Sequence, residues 1–152
     1  MADFRKIKVF LSCPQDIVEE ESIIEIVEEI IRDANIYYKS FNMEFDLIPW
    51  KENLSLGKGE PRPQDRINNR LVENCDIFLG ILWTRFGSPP GINIEGKSYS
   101  SGTEEEFYLA KRLDKHLWVL FCEYPVMPSK IDSKLLEQLC NFEQYFSFNF
   151  KK

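Results

Sequence analysis

The chain has 152 residues, of which 43% are hydrophobic and 14% aromatic, so it can bury the core of one domain and is not a disordered tail. Its net charge of -6 and the absence of a basic stripe argue against direct binding of nucleic acid, which needs clustered Lys and Arg. The apolar runs are too short to cross a bilayer and no signal peptide opens the chain, so we expect a cytoplasmic protein without a membrane partner.

The first elements of the chain are a strand and an amphipathic helix. Residues 7–12, "IKVFLS", form a short β-rich apolar run that predicts a buried strand. Asp16 and Glu19 have the spacing of a capping box, and apolar residues then recur at helical intervals among glutamates. This pattern predicts one helix over about 17–34.

The remaining segments continue the alternation of strands and helices. Residues 75–83 and 116–122 are almost entirely apolar, which is typical of strands buried on both faces in the middle of a parallel sheet. Further strands, helices and Gly- or Pro-containing loops are predicted as follows: a strand over 45–50, a loop over 51–63, helices over 64–74, 104–113 and 133–146, and a loop over 85–100.

The order of these elements predicts an α/β fold, with an open parallel sheet and helices on both of its faces. In such folds ligands bind beyond the carboxyl ends of the strands. The loops that follow the strands are therefore the places to search for chemistry, and one of them leads into the segment 100–106, "SSGTEEE".

The three adjacent glutamates of this segment have two interpretations. Thr103 is a suitable N-cap and Glu106 stands three residues later, so the pair has the form of a capping box, while Glu104 and Glu105 suit the positive end of the helix dipole. Alternatively, an inward-facing carboxylate at this edge could stabilise an oxocarbenium-like centre during cleavage of a glycosidic bond. Periodicity does not decide which glutamate points inward.

The segment 82–89, "LWTRFGSP", follows the central predicted strand. Trp83, Arg85 and Phe86 could stack on a base and pair with phosphate, or Phe86 could fill the core and Arg85 lie in solvent. Neither a GxGxxG fingerprint nor a GxxxxGK[ST] loop occurs. One histidine and four widely spaced cysteines offer no metal-ligand spacing, so we expect no metal.

Three segments together, "KVFLSCPQDIVEEE", "CDIFLGILWTRFG" and "SGTEEEFYLAKR...LWVLFC", resemble the TIR-like N-terminal domains of bacterial multidomain defence proteins. The third segment is also similar to the "GTxxE" segment of nucleoside 2-deoxyribosyltransferases, which are relatives with a flavodoxin-like fold. The resemblance implies a single TIR-like domain over 1–152, with a flavodoxin-like sheet of four to five strands. It is consistent with a chain that is the N-terminal fragment of a longer multidomain protein.

The resemblance also implies an activity. Aligning Gly102-Thr103 with the "GTxxE" motif places Glu106 on the catalytic glutamate of the deoxyribosyltransferases, and TIR enzymes likewise use one glutamate of the corresponding helix to cleave NAD. The resemblance therefore implies an NAD glycohydrolase, which releases nicotinamide and forms ADP-ribose or a cyclic isomer, with NAD as substrate and no other cofactor. Self-association and fused sensor or NTPase regions are the implied partners. Two alternatives are a non-catalytic self-association module and deoxyribosyl transfer. The residues expected to bind substrate are Ser12, Asp16, Trp50, Trp83, Arg85, Phe86 and Thr103.

Overall fold

Four parallel strands form the centre of the structure, a computed structural model that describes residues 3–49 and 62–150. The strands are β1 (Arg5–Ser12), β2 (Met43–Pro49), β3 (Ile77–Leu82) and β4 (His116–Phe121). Within the described residues their order is β2-β1-β3-β4, with every neighbouring pair parallel. The prediction of a flavodoxin-like open parallel sheet is confirmed.

Helices connect the strands and cover both faces of the sheet. The helices of the described residues are α1 (Gln15–Glu19), α2 (Glu21–Tyr38), α3 (Pro63–Ile67), α4 (Gly102–Arg112) and α5 (Ser133–Phe150). A π-helical turn, Asn68–Val72, continues α3, and short 3-10 turns occupy Lys39–Phe41 and Pro128–Lys130. None of the helices in the described parts of the chain has the length and apolar character that spanning a membrane requires.

Each face of the sheet has its own apolar layer, because successive side chains of a strand point to opposite sides. Val9 and Leu79 pack with Ile17 of α1 and Val27 of α2 on one face. On the other face the layer includes aromatic residues from β1, β3, α4 and α5, namely Phe10, Phe78, Phe107 and Phe142. Every residue of β3 is buried, as its two-sided apolar run predicts.

The predicted helix over 17–34 is instead two helices that are separated at Glu20, whose backbone leaves the helical region. Asp16 is also not the N-cap, because α1 begins at Gln15 and the carboxylate of Asp16 accepts hydrogen bonds from Thr84 instead. Together with the complete burial of Ile17, these contacts hold α1 against the rest of the domain. Such long-range contacts are not encoded in helical periodicity.

The prediction that the strand over 116–122 is buried on both faces is wrong. Trp118 and Leu120 of β4 are 58% and 54% exposed, and His116 is also exposed. β4 is the last strand in the order of the described sheet, and only its other face packs against the layer that contains α4 and α5. Strand order, rather than hydrophobicity, decides whether an apolar strand is central.

Candidate active site at the carboxyl edge of the sheet

Glu106 lies at the centre of a buried hydrogen-bond network at the carboxyl edge of the sheet. Its side chain is 6% exposed, and both of its carboxylate oxygens accept hydrogen bonds. The hydroxyl of Ser12, the last residue of β1, donates to Oε2. Nε2 of Gln64, in α3, donates to Oε1 at 2.7 Å. Three elements that are distant in sequence therefore fix one carboxylate.

Burial is the main influence on the charge of this carboxylate. Desolvation raises the pKa of Glu106 from 4.5 to about 7, while the hydrogen bonds from Ser12 and Gln64 act in the opposite direction. The negative charge of Glu105 adds a smaller increase to this pKa. A group with a pKa close to neutrality can serve as a stabilising anion and as a proton acceptor under physiological conditions.

The interpretation of Thr103 and Glu106 as a capping box is wrong. α4 begins at Gly102, and the hydroxyl of its N-cap, Ser101, accepts a hydrogen bond from the backbone N–H of Glu104 at 3.0 Å. The carboxylate of Glu104 in turn accepts from the backbone N–H and the hydroxyl of Ser100, at 2.6 Å each. The serines before Gly-Thr therefore supply the cap, and Glu106 faces the interior instead.

Glu105 is not the dipole-stabilising surface residue that its position in the first turn suggests. It is 4% exposed and accepts two hydrogen bonds from the guanidinium of Arg62, at 2.7 and 3.2 Å. Arg62 also donates to Asp65 at 2.6 Å, and its hydrogen bonds to Asp65 and then Glu105 raise the pKa of the guanidinium above its ordinary value. Arg62 thereby neutralises the carboxylate that adjoins Glu106.

One continuous polar chain joins the two buried glutamates. Besides bonding Glu106, the amide nitrogen of Gln64 donates to Asn68 Oδ1 at 3.1 Å, and Asn68 Nδ2 donates to Glu105 Oε1 at 3.2 Å. The first residue of α4, Gly102, leaves room for these hydrogen-bonded side chains, because a Cβ at that position would overlap Oε1 of Gln64. The start of α4 and the residues of α3 are thus fitted to each other.

Comparison with protein families identifies one family that covers most of the chain. Residues 8–147 match the family described as "Domain of unknown function (DUF4062)", which is most of the chain. The chain belongs to this DUF4062 family. A search of curated proteins found no match.

A cavity of about 220 Å³ opens beside Glu106 in the DUF4062 domain, and we call it the Glu106 cavity. Its wall combines the loop after β1, α3, the loop after β3 and the first turn of α4. The lining residues that bear on its chemistry are Cys13, Gln64, Arg85, Thr103 and Glu106. The buried carboxylate therefore borders a space in which a small polar group can lie.

A second cavity of about 290 Å³ lies on the other side of Arg85, and we call it the Trp83 cavity. Asp16, Glu20, Trp83, Arg85 and Lys130 are among its lining residues. The indole nitrogen of Trp83 donates to the backbone carbonyl of Tyr124 at 2.7 Å, which fixes the ring. Arg85 lines both cavities.

The structure thus brings most of the predicted site residues of the DUF4062 domain to one edge. Ser12, Thr103 and Glu106 lie around the first cavity or bond its carboxylate, and Asp16 and Trp83 lie around the second. Phe86 is 2% exposed and stacks on Phe142 with a ring separation of 4.4 Å, which agrees with its alternative interpretation as a core residue. Trp50 lies outside the described residues.

Sequence reasoning missed Arg62, Gln64 and Asn68. Arg62 falls in the predicted loop over 51–63, whereas it is the N-cap of α3, and its backbone N–H and its guanidinium both donate to the carboxylate of Asp65. The signal that could have indicated Gln64 is its position at the start of a helix that begins at the carboxyl edge. In residues 3–49 and 62–150, no group of three or more His, Cys, Asp or Glu side chains is arranged to hold a metal ion.

Proposed function

We propose that this DUF4062 domain is a TIR-like NAD glycohydrolase whose catalytic residue is Glu106. The observation that carries the proposal is the buried carboxylate of Glu106, held by Ser12 and Gln64 beside a cavity at the carboxyl edge of a parallel sheet. The resemblance to TIR-like domains supplies the substrate, and it assigns the activity to bacterial antiviral defence, with activation through self-association.

The chemistry needs one carboxylate rather than two. The nicotinamide of NAD is already cationic, so it leaves as a neutral base when the bond to the ribose C1′ breaks, and no general acid is required. Positive charge develops on the ribose ring as an oxocarbenium-like centre, and an ionised Glu106 stabilises that charge in a buried, low-dielectric position.

The second half of the reaction replaces the lost bond at C1′. Water adds to C1′ and its proton passes to the carboxylate of Glu106 and then to solvent, so the products are nicotinamide, ADP-ribose and one proton. Attack by a nitrogen of the substrate's own adenine gives a cyclic isomer instead. The raised pKa of Glu106, about 7, suits the carboxylate to this proton transfer.

The decisive experiment measures nicotinamide release from NAD by chromatography. The wild-type chain is assayed at high protein concentration and also fused to an oligomeric scaffold that forces assembly. We expect cleavage that falls at least roughly 100-fold in Glu106→Gln, because this substitution removes the charge and keeps the shape. Glu104→Gln is the matched control, since it removes an acid from the same helical turn and should retain activity.

Two results would reject parts of the proposal. The absence of NAD cleavage by the assembled wild-type chain would reject the hydrolase, and equal cleavage by wild type and Glu106→Gln would reject Glu106 as its catalytic residue. The exposed apolar side chains of β4, Trp118 and Leu120, favour a second candidate, a self-association module without catalysis. Sedimentation of wild type and Trp118→Lys tests that candidate separately, because self-association through this face should weaken without any change at Glu106.

A further inference from the structure

The side-chain amide of Gln64 has two ends that could face Glu106. The nitrogen and the oxygen of an amide have nearly the same size, so packing alone does not distinguish the two orientations. Only one of them suits an ionised carboxylate, because the nitrogen donates a hydrogen bond whereas the oxygen would repel the charge. In the structure the nitrogen of Gln64 faces Glu106, at 2.7 Å from Oε1. A further contact is needed to select this orientation.

Asn68 makes the contact that selects it. This residue follows Gln64 by four positions, and its Oδ1 accepts a second hydrogen bond from the Gln64 amide nitrogen at 3.1 Å. If the Gln64 amide were rotated by 180°, its oxygen would face two acceptors, Asn68 Oδ1 and Glu106 Oε1, and both hydrogen bonds would be lost. Gln64 and Asn68 are each 8% exposed, so the loss would fall on buried groups.

The amide of Asn68 is oriented in turn by Glu105. Asn68 Nδ2 donates to Oε1 of Glu105 at 3.2 Å. A carboxylate only accepts hydrogen bonds, so Glu105 takes the nitrogen of Asn68 and leaves the oxygen toward Gln64. Arg62 holds Glu105 in place with hydrogen bonds of 2.7 and 3.2 Å. Each amide between the two glutamates therefore has one favourable orientation.

We propose that Asn68 is a positioning residue for Glu106, which it serves by turning the donor end of the Gln64 amide toward the catalytic carboxylate. The ion pair between Arg62 and Glu105 orients Asn68 in the same way. The inference rests on the proposed function for the role of Glu106. Among the described residues Asn68 is not part of the wall of the Glu106 cavity, so it acts through Gln64 and not by contact with a substrate.

The test measures the pKa of Glu106 by carbon-13 NMR of the full chain, labelled at its glutamate carboxyl carbons. The signal of Glu106 is the one that is missing from Glu106→Gln. Asn68→Leu keeps the approximate size of the side chain and removes its amide, so it should raise the pKa of Glu106 by about 1, because the ionised form loses an oriented donor. Asn69→Leu, at the exposed neighbouring position, is the matched control and should leave this pKa unchanged. Neither variant alters the other ionisable groups near Glu106, which are Glu105, Cys13 and Arg85.

A double variant separates positioning from a merely structural role. Gln64→Met removes the donor itself and should raise the pKa of Glu106 at least as much as Asn68→Leu does. Because Asn68 acts through the Gln64 amide, adding Asn68→Leu to Gln64→Met should change this pKa little further. In NAD cleavage each single variant should lower kcat at least roughly tenfold with little change in KM, since the donor orients the group that acts in the transition state.

The outcomes separate this inference from the proposed function. An equal pKa of Glu106 in wild type and in a folded Asn68→Leu overturns the role of Asn68, and so do effects that add in the double variant. If Asn68→Leu does not fold, the wild-type chain decides: the side-chain nitrogen-15 signals of Gln64 and Asn68 should both shift as Glu106 titrates, and stationary signals overturn the inference. The titration needs no substrate, so a failure to cleave NAD rejects only the hydrolase.

Discussion

Glu106→Gln should stabilise the folded protein at neutral and alkaline pH. Burial raises the pKa of Glu106 from 4.5 to about 7, so the ionised form is less favourable in the folded state than in the unfolded chain. Between these two pH values the folded state binds more protons than the unfolded state, and the free energy of unfolding falls as the pH rises. A neutral glutamine avoids this loss.

The size of the effect follows from the pKa shift. At about 1.4 kcal/mol per pKa unit, the shift corresponds to a cost of about 3 kcal/mol that is fully present above pH 7 and absent below pH 4.5. Glutamine can still accept from Gln64, and its amide nitrogen can donate to the hydroxyl oxygen of Ser12, so the substitution keeps a hydrogen bond to each neighbouring side chain.

Urea unfolding followed by circular dichroism at several pH values between 5 and 8 measures this difference. The advantage of Glu106→Gln over wild type should grow with pH and reach up to about 3 kcal/mol at pH 8. Glu143→Gln, an exposed carboxylate on α5, should show no such pH-dependent gain. A difference that does not change with pH, or a variant less stable than wild type at pH 8, would refute the reasoning.

Three further substitutions test the surrounding network. Gly102→Ala should cost about 1–3 kcal/mol in urea unfolding and lower NAD cleavage at least roughly tenfold, because the new methyl group displaces the amide that donates to Asn68 and Glu106. Unchanged cleavage would contradict this. Ser12→Ala removes a hydrogen bond that lowers the pKa of Glu106, so the acidic limb of the pH profile of kcat/KM should move to higher pH. Arg62→Met should cost about 3–5 kcal/mol in the same unfolding assay, because Glu105 is left buried without a counter-ion, and Arg62→Met/Glu105→Gln should recover most of that loss.

The order and type of the main elements could be predicted because each depends on a local pattern. The apolar run of β3 and the helical spacing of α2 have few alternative structures. The exposure of β4 could not be predicted from its composition, since it depends on which strand ends the sheet. The hydrogen bonds that hold α1 join Asp16 to Thr84, a residue far along the chain, so helical periodicity does not show them.

The candidate site could be predicted only in part, for the same reason. The resemblance places Glu106 at the catalytic position, whereas the local pattern predicts that it belongs to a helix cap. Ser101 and Thr103 are both suitable N-cap residues, and the spacing to Glu106 favours Thr103, although the N-cap is Ser101. The ion pair between Arg62 and Glu105 joins segments whose proximity only the tertiary structure shows. Burial, which sets the pKa of Glu106, is likewise a property of the folded chain.

The missing side chain of Gly102 has a consequence for attempts to redesign this domain. Helix propensity alone favours alanine over glycine at this position, and glutamine at position 106 removes the cost of a buried charge. A design procedure that scores only helix propensity would therefore introduce alanine at position 102, and a screen that selects only for thermal stability would introduce glutamine at position 106. The first replacement displaces Gln64 and the second removes the carboxylate, so either one erases the arrangement of Gln64 and Glu106.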